Sequence, residues 1–246
     1  MNLKAVAICV ILLPFIGQPS HEAVAADTAQ PALLARALEG AELDTQDGWA
    51  FRQTVTVNTL DEPARSTVTR WDPSRPAGER CTVVSVTAAD GKADEEDPCE
   101  EEARRLLYGD LSAIMLKDAI IETVSEDDAS VIYRFVPQGD DHGLYIGRLH
   151  LGVDEETAER MIGTIEVAKT GEGAPYVKRA ILRLKEPAGN LLARLKHFEV
   201  IYTFAPDVAT GARLLRRTDV DLGLSMFTMF NVTTDISVEL DEYRKL

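Results

Sequence analysis

Apolar residues fall into two rhythms along the chain. In "QPALLARALEGAELD" Leu33, Leu34, Ala37, Leu38 and Ala41 recur at helical spacing, and Gly40 marks the exit. From Gly48 the period shortens to two: "GWAFRQTVTVNTL", "ARSTVTRWD" and "ERCTVVSV" read as three antiparallel strands. Helix formers return in "EEDPCEEEARRLLYGDLSAIM". There Pro98 stands near the first turn, acids come early, and Arg104 and Arg105 come later, as a helix dipole favours. Leu106, Leu107, Leu111 and Ile114 form the apolar face of this segment.

The strand rhythm then resumes. "DAIIETVSE" and "SVIYRFVP" flank "DDA" as a hairpin, and "GLYIGRLHLGV" continues as strand. "DEETAERMIG", N-capped by Asp154, predicts a brief helix before "GTIEVAKT", the turn "GEGAP" and "YVKRAILRL". After the connection "EPAGNLLARL", the runs "KHFEVIYTFAP", "RLLRRTDVDLGL" and "MFTMFNVTTDISVEL" complete a meander. In the last run Phe230, Val232, Thr234, Ile236, Val238 and Leu240 face one way, and Asn231, Thr233, Asp235, Ser237 and Glu239 the other.

Nine or more strands with few short helices, lacking the β-α alternation of a parallel sheet, predict a mostly antiparallel β (α+β) fold. The expected form is a strongly bent sheet or incomplete β-barrel with short helices, over 30–42, 99–115 and 154–162, covering its apolar concave face. Trp49, Phe51, Phe198, Phe204, Phe230, Val232 and Ile236 are the candidate cavity residues on that face, with Leu106, Leu107 and Leu111 as a lid. The same alternation describes a filled core equally well.

The N-terminus sets the expected compartment. "MNLK", the apolar run "AVAICVILLPFIG" and Ala23-Val24-Ala25 have the anatomy of a secretory signal peptide cleaved after Ala25. The run is broken by Pro14 and falls short of the ~20 residues that span a bilayer, so no stable membrane anchor is expected. Cleavage removes Cys9 and leaves Cys81 and Cys99 in a chain that folds under oxidising conditions, which predicts a disulfide between them. Residues 26–246 carry no linker, fixed-period repeat or low-complexity tract beyond the acidic loop, and read as one domain. The export segment holds one base, Lys4, and one acid, Glu22, so the net charge stays at -15. Such a surface repels phosphate backbones and anionic headgroups, and nucleic acid is not an expected partner.

Catalytic and metal motifs are missing. Ser225 in "GLSMF" lacks the second glycine of a nucleophile elbow. His142, His150 and His197 are the only histidines after the export segment, and "DDHG" at 140–143 has no helical histidine partner to complete a metal site. The acids from Asp94 to Glu102 do not have the spacing of a calcium loop, and Gly171 and Gly173 lead into a strand rather than a phosphate-binding helix. No enzyme activity, cofactor or metal is expected.

The order of elements resembles the LolA-like family of periplasmic lipoprotein carriers and its outer-membrane-lipoprotein-sorting relatives. The opening "ALLARALEGAELDTQDGWAFRQTVTV" is similar to the family's first helix and strand, with Phe51, Arg52 and Gln53 as the Phe-x-Gln phrase. "GTIEVAKTGEGAPYVKRAILRL" is similar to the family's hairpin, and the closing strand into "LDEYRKL" also fits. The resemblance implies an incomplete barrel, lidded by helices, whose apolar inner surface receives acyl chains. The expected function is therefore a soluble periplasmic carrier or chaperone for lipid or lipidated protein, acting non-covalently. The alternative is a cell-envelope protein-interaction module with a filled core and no lipid cargo. The Cys81 to Cys99 loop, the acidic tract before the second helical region and the inserted helix near 154–162 depart from the sorting carrier.

Overall fold

The computed structural model describes residues 31–39, 48–60, 64–88, 99, 111, 116, 119–137, 142–146, 149–153, 157, 159–169, 174–189, 193–226 and 230–246. The continuous elements among these residues are a helix, α1 (Ala32–Leu38), and thirteen strands. In chain order these are β1 (Trp49–Thr59), β2 (Arg65–Trp71), β3 (Cys81–Ala88), β4 (Ile120–Glu126), β5 (Ser130–Val136), β6 (His142–Ile146) and β7 (Leu149–Val153). They continue as β8 (Met161–Ala168), β9 (Tyr176–Leu184), β10 (Ala188–Gly189), β11 (Ala193–Pro206), β12 (Arg213–Met226) and β13 (Phe230–Lys245).

One antiparallel sheet holds eleven of the strands, in the order β3-β2-β1-β13-β12-β11-β9-β8-β5-β4, with β10 paired to β11. β3 and β4 end the path and do not meet, so the sheet is open and not a closed barrel. The pairing of β1 with β13 joins distant parts of the chain and brings the N-terminal hairpin beside the C-terminal meander. Alternation along each strand divides the sheet into an apolar and a polar face.

The register shows how far the apolar face extends. Tyr133, Ile165, Ala180, Tyr202, Thr218, Val238, Val55, Thr67 and Val86 stand opposite one another in turn across nine strands. A second row runs from Phe135 through Gly163, Leu182, Val200, Val220, Ile236 and Val57 to Arg65. Opposed residues of an antiparallel pair point to the same side, so each row lies on one face.

α1 packs on β9 and β8, where it buries Leu34, Ala37 and Leu38. At seven residues it has few internal hydrogen bonds, and tertiary contacts hold it. Arg213 donates from its guanidinium to the carbonyls of Ala37 (2.9 Å) and Glu39 (3.1 Å), satisfying acceptors that the helix end leaves open. Leu111, Leu116 and Ala119 are buried in the same core.

At the far end of β1 the register with β13 shifts between Ala50 and Arg52, and Glu242 takes a left-handed φ of 50°. Arg52 (2.8 Å) and Arg70 (3.0 Å) hold its carboxylate. The bulge re-aims Tyr243, whose hydroxyl donates to the Leu215 carbonyl at 2.5 Å. Trp49 meets the Tyr243 ring edge-on at 6.1 Å, and Phe51 lies 5.4 Å from it. These aromatic contacts tie β1, β12 and β13 together.

Three local expectations change. Thr157 and Glu159 are helical, within the helix expected over 154–162, but Met161 and Ile162 belong to β8, because the buried alternation of Met161, Gly163, Ile165 and Val167 pairs with β5 and β9. "GLYIGRLHLGV" is a separate two-stranded hairpin, β6 with β7, rather than one continuing strand. β11 begins at Ala193, inside the expected connection. The helix over 30–42 is described at Ala32–Leu38, while the signal segment and most of 99–115 lie outside the described residues.

Candidate functional site

The apolar face is covered unevenly. Along the first row Ile165 and Ala180 are fully buried beneath α1, and Tyr202, Thr218 and Val238 remain buried. Val55 and Thr67 are half-buried, and Val86 is 44% exposed. The second row repeats the gradient, with Leu182, Val200 and Val220 buried and Ile236, Val57 and Arg65 half-buried. Leu222, Leu224 and Val232 are half-buried on the same face, and Val83 is 38% exposed at its edge. The face is therefore packed from β5 to β11 and on into β12, β13 and β1 at Val220, Val238 and Phe51, and it is half-open at Leu222, Leu224, Val232, Ile236, Val55 and Val57 and across β2 and β3.

The candidate residues divide along that line. Phe51, Phe198 and Phe204 belong to the packed core, and Trp49 is buried at its margin beside Tyr243. Val232 and Ile236 lie on the half-open flank. Phe230 opens β13 opposite Met226. Leu111 is fully buried in the core, whereas Leu106 and Leu107 lie outside the described residues. Sequence reasoning passed over Val55, Val57 and Leu222, which sit on the half-open flank beside Ile236. The alternation in "TVTVNT" was a signal for the first two.

Cys81 and Cys99 form a disulfide. Cys81 stands opposite Trp71, itself opposite Phe51, so the bridge starts from the apolar side at the open end of the sheet.

The polar face carries a concavity of about 330 Å³ lined by Thr56, Glu199, Arg217, Asp219, Asp235 and Ser237 among others. Arg217 bonds Asp219 at 2.7 Å and Glu239 at 2.8 Å, and its pKa is raised chiefly by the hydrogen bond to Asp219. Burial pushes the Asp219 carboxyl up, but hydrogen bonds from Arg217 and Ser237 outweigh it and leave the group below its ordinary value. His197 pairs with Asp221 at 2.9 Å. Among the described residues no group of three or more His, Cys, Asp or Glu side chains is placed to hold a metal ion. Asp141 lies outside the described residues, and His142 is described as the first residue of β6.

No family model matches the chain, and no curated protein matches it. Among solved structures the chain is similar to a LolA superfamily protein. That structure, NE2245 from Nitrosomonas europaea, is 11% identical, with the alignment covering 87% of this chain and 92% of the other at a TM-score of 0.38. No helix among the described residues is long and apolar enough to cross a membrane.

Proposed function

We propose that the protein is an exported, non-covalent carrier that shelters the acyl chains of a lipid or lipidated protein against the half-open flank of its apolar face. One observation carries the reading: the rows that are fully buried beneath α1 on β8 and β9 continue into Val55, Val57, Ile236 and Val86, with Thr67 and Arg65 as their polar members on β2, without being fully covered. A monomeric protein gains by covering such a face, and an acyl chain is a cover of matching chemistry. Each methylene removed from water there contributes about 0.8 kcal/mol before the cost of ordering the chain.

The disulfide supports residence in an oxidising compartment such as the periplasm, in keeping with residues 1–25 acting as an export signal. The carrier role requires no covalent step, and the side chains of the half-open flank supply none.

Native mass spectrometry of residues 26–246, purified from a periplasm without detergent, tests the proposal. The expected result is a discrete adduct that extracts into organic solvent as lipid. A bare mass that stays bare after incubation with envelope lipids would overturn it.

A further inference from the structure

We propose that the free edge of β3 is a self-association edge, through which two copies pair antiparallel about a two-fold axis perpendicular to the sheet. β2 pairs one side of β3, and among the described residues no strand pairs the other. Thr82, Val83, Val84, Ser85, Val86 and Thr87 are all exposed. None of the six is charged, although the chain carries -15, and no proline interrupts them. Edges are ordinarily blunted by charge or proline, and one without either is a template for another strand. At the other end of the sheet β4 carries Glu122 and Glu126.

The occupant is a second copy because the stretch is nearly palindromic. Antiparallel self-pairing of T-V-V-S-V-T sets Thr82 opposite Thr87, Val83 opposite Val86 and Val84 opposite Ser85. A perpendicular two-fold axis also requires opposed residues to share a face, which a regular strand denies to residues an odd number apart. β3 meets the requirement through its bulge. Its register with β2 shifts between Val68 and Thr69, leaving Val84 without a partner. Val83 and Val86 consequently share the apolar face, and Thr82 and Thr87 the polar one. A bulge usually turns an edge away from partners, but this one lies at the symmetry centre and matches the two halves.

The strand itself adds no like-charge pair across the dyad, and high salt screens the acidic residues that follow it in the 81–99 loop. Pairing also sets Val86 of one copy beside Val83 of the other. The two half-open flanks then form one continuous apolar floor.

Sedimentation velocity of the exported chain over a concentration series, at high salt to screen the net charge, tests the proposal. A reversible monomer–dimer equilibrium is expected. Thr82→Glu with Thr87→Glu places like charges opposite each other across the dyad and raises the dissociation constant about tenfold or more. Thr82→Glu with Thr87→Lys restores opposite charges and retains the dimer. Both positions are exposed on the polar face, and thermal melting checks that each variant folds. A wild-type chain that stays monomeric throughout, a dimer indifferent to the two glutamates, or a dimer lost equally in both variants would overturn the proposal. Lipid extracted from the same samples reports on the carrier reading independently.

Discussion

The ring of Phe135 fills the space above Gly163 where a side chain would otherwise stand. The two residues are directly opposed on β5 and β8, and the ring is almost fully buried. Glycine is required at this position for its missing Cβ, since any Cβ there would overlap the ring. Gly163→Ala is expected to destabilise the protein by about 1–3 kcal/mol through overpacking. Adding Phe135→Leu should recover part of that loss, a coupling that a double-mutant cycle in urea would measure. Strict additivity would mean that the two positions do not share this space.

The half-open flank and the packed core should respond differently to a buried charge. Ile236→Asp or Val57→Asp is expected to leave the fold intact and to lower lipid uptake at least severalfold, because both side chains are already half-solvated. Val200→Asp, fully buried beside Leu182 and Val220, is expected to prevent folding. Lipid extraction paired with circular dichroism separates the outcomes. Unchanged uptake by a folded Ile236→Asp chain would remove β13 from the binding surface.

The disulfide closes a loop with a sequence separation of 18. Replacing both Cys81 and Cys99 by Ser should cost about 3 kcal/mol on the chain-entropy account. Urea melts of the two chains check the size. Alkylation of the denatured wild-type chain should label neither cysteine unless reductant is present.

Three turn carboxylates, together with Asp219, contribute to the acid limb of stability. A hydrogen bond from the Ser74 hydroxyl lowers the Asp72 pKa, backbone N–H groups of Ser130 and Ala129 lower that of Asp127, and the Thr210 hydroxyl lowers that of Asp207. Each folded pKa lies below the unfolded value of about 3.9. Their contribution is therefore present above the unfolded value and is lost as pH falls through the folded ones. The melting temperature should be flat near neutrality and fall below about pH 4. A chain with Asp127→Ala and Asp207→Ala should melt lower than wild type at neutral pH and converge with it in acid. Parallel curves would show that these turns do not contribute in this way.

Tyr243→Phe removes the bond to the Leu215 carbonyl and should cost about 1 kcal/mol, while preserving the contacts with Trp49 and Phe51. Tyr243→Ala removes both and should cost about 3 kcal/mol or more. Equal losses in thermal melts would assign the whole effect to the hydroxyl.

Much of the architecture was legible in the chain because strand alternation is local. The period of two in β1, β2 and β3, and in the meander of β11, β12 and β13, already separated an apolar from a polar face, and Val238 and Leu240 are buried as their parity requires. The pairing of Cys81 with Cys99 followed from count and compartment. Segment 161–168 is harder to read at its start, since "AERM" consists of helix formers and only the pairing of Met161 with Leu184 of β9 makes it a strand residue.

Tertiary structure alone decided where the apolar face is packed and where it is open. Parity places Val200 and Val57 on the same face, but α1 on β9 and β8, with Leu111, Leu116 and Ala119 in the same core, packs one end of the row while the other is half-solvated. The polar concavity likewise brings Thr56 of β1 beside Glu199, Arg217 and Ser237 of the C-terminal meander, from which it is far apart in sequence. Side-chain direction is set by neighbouring residues, and sequence carries it; cover is set by contacts between distant segments, and only the folded chain supplies those.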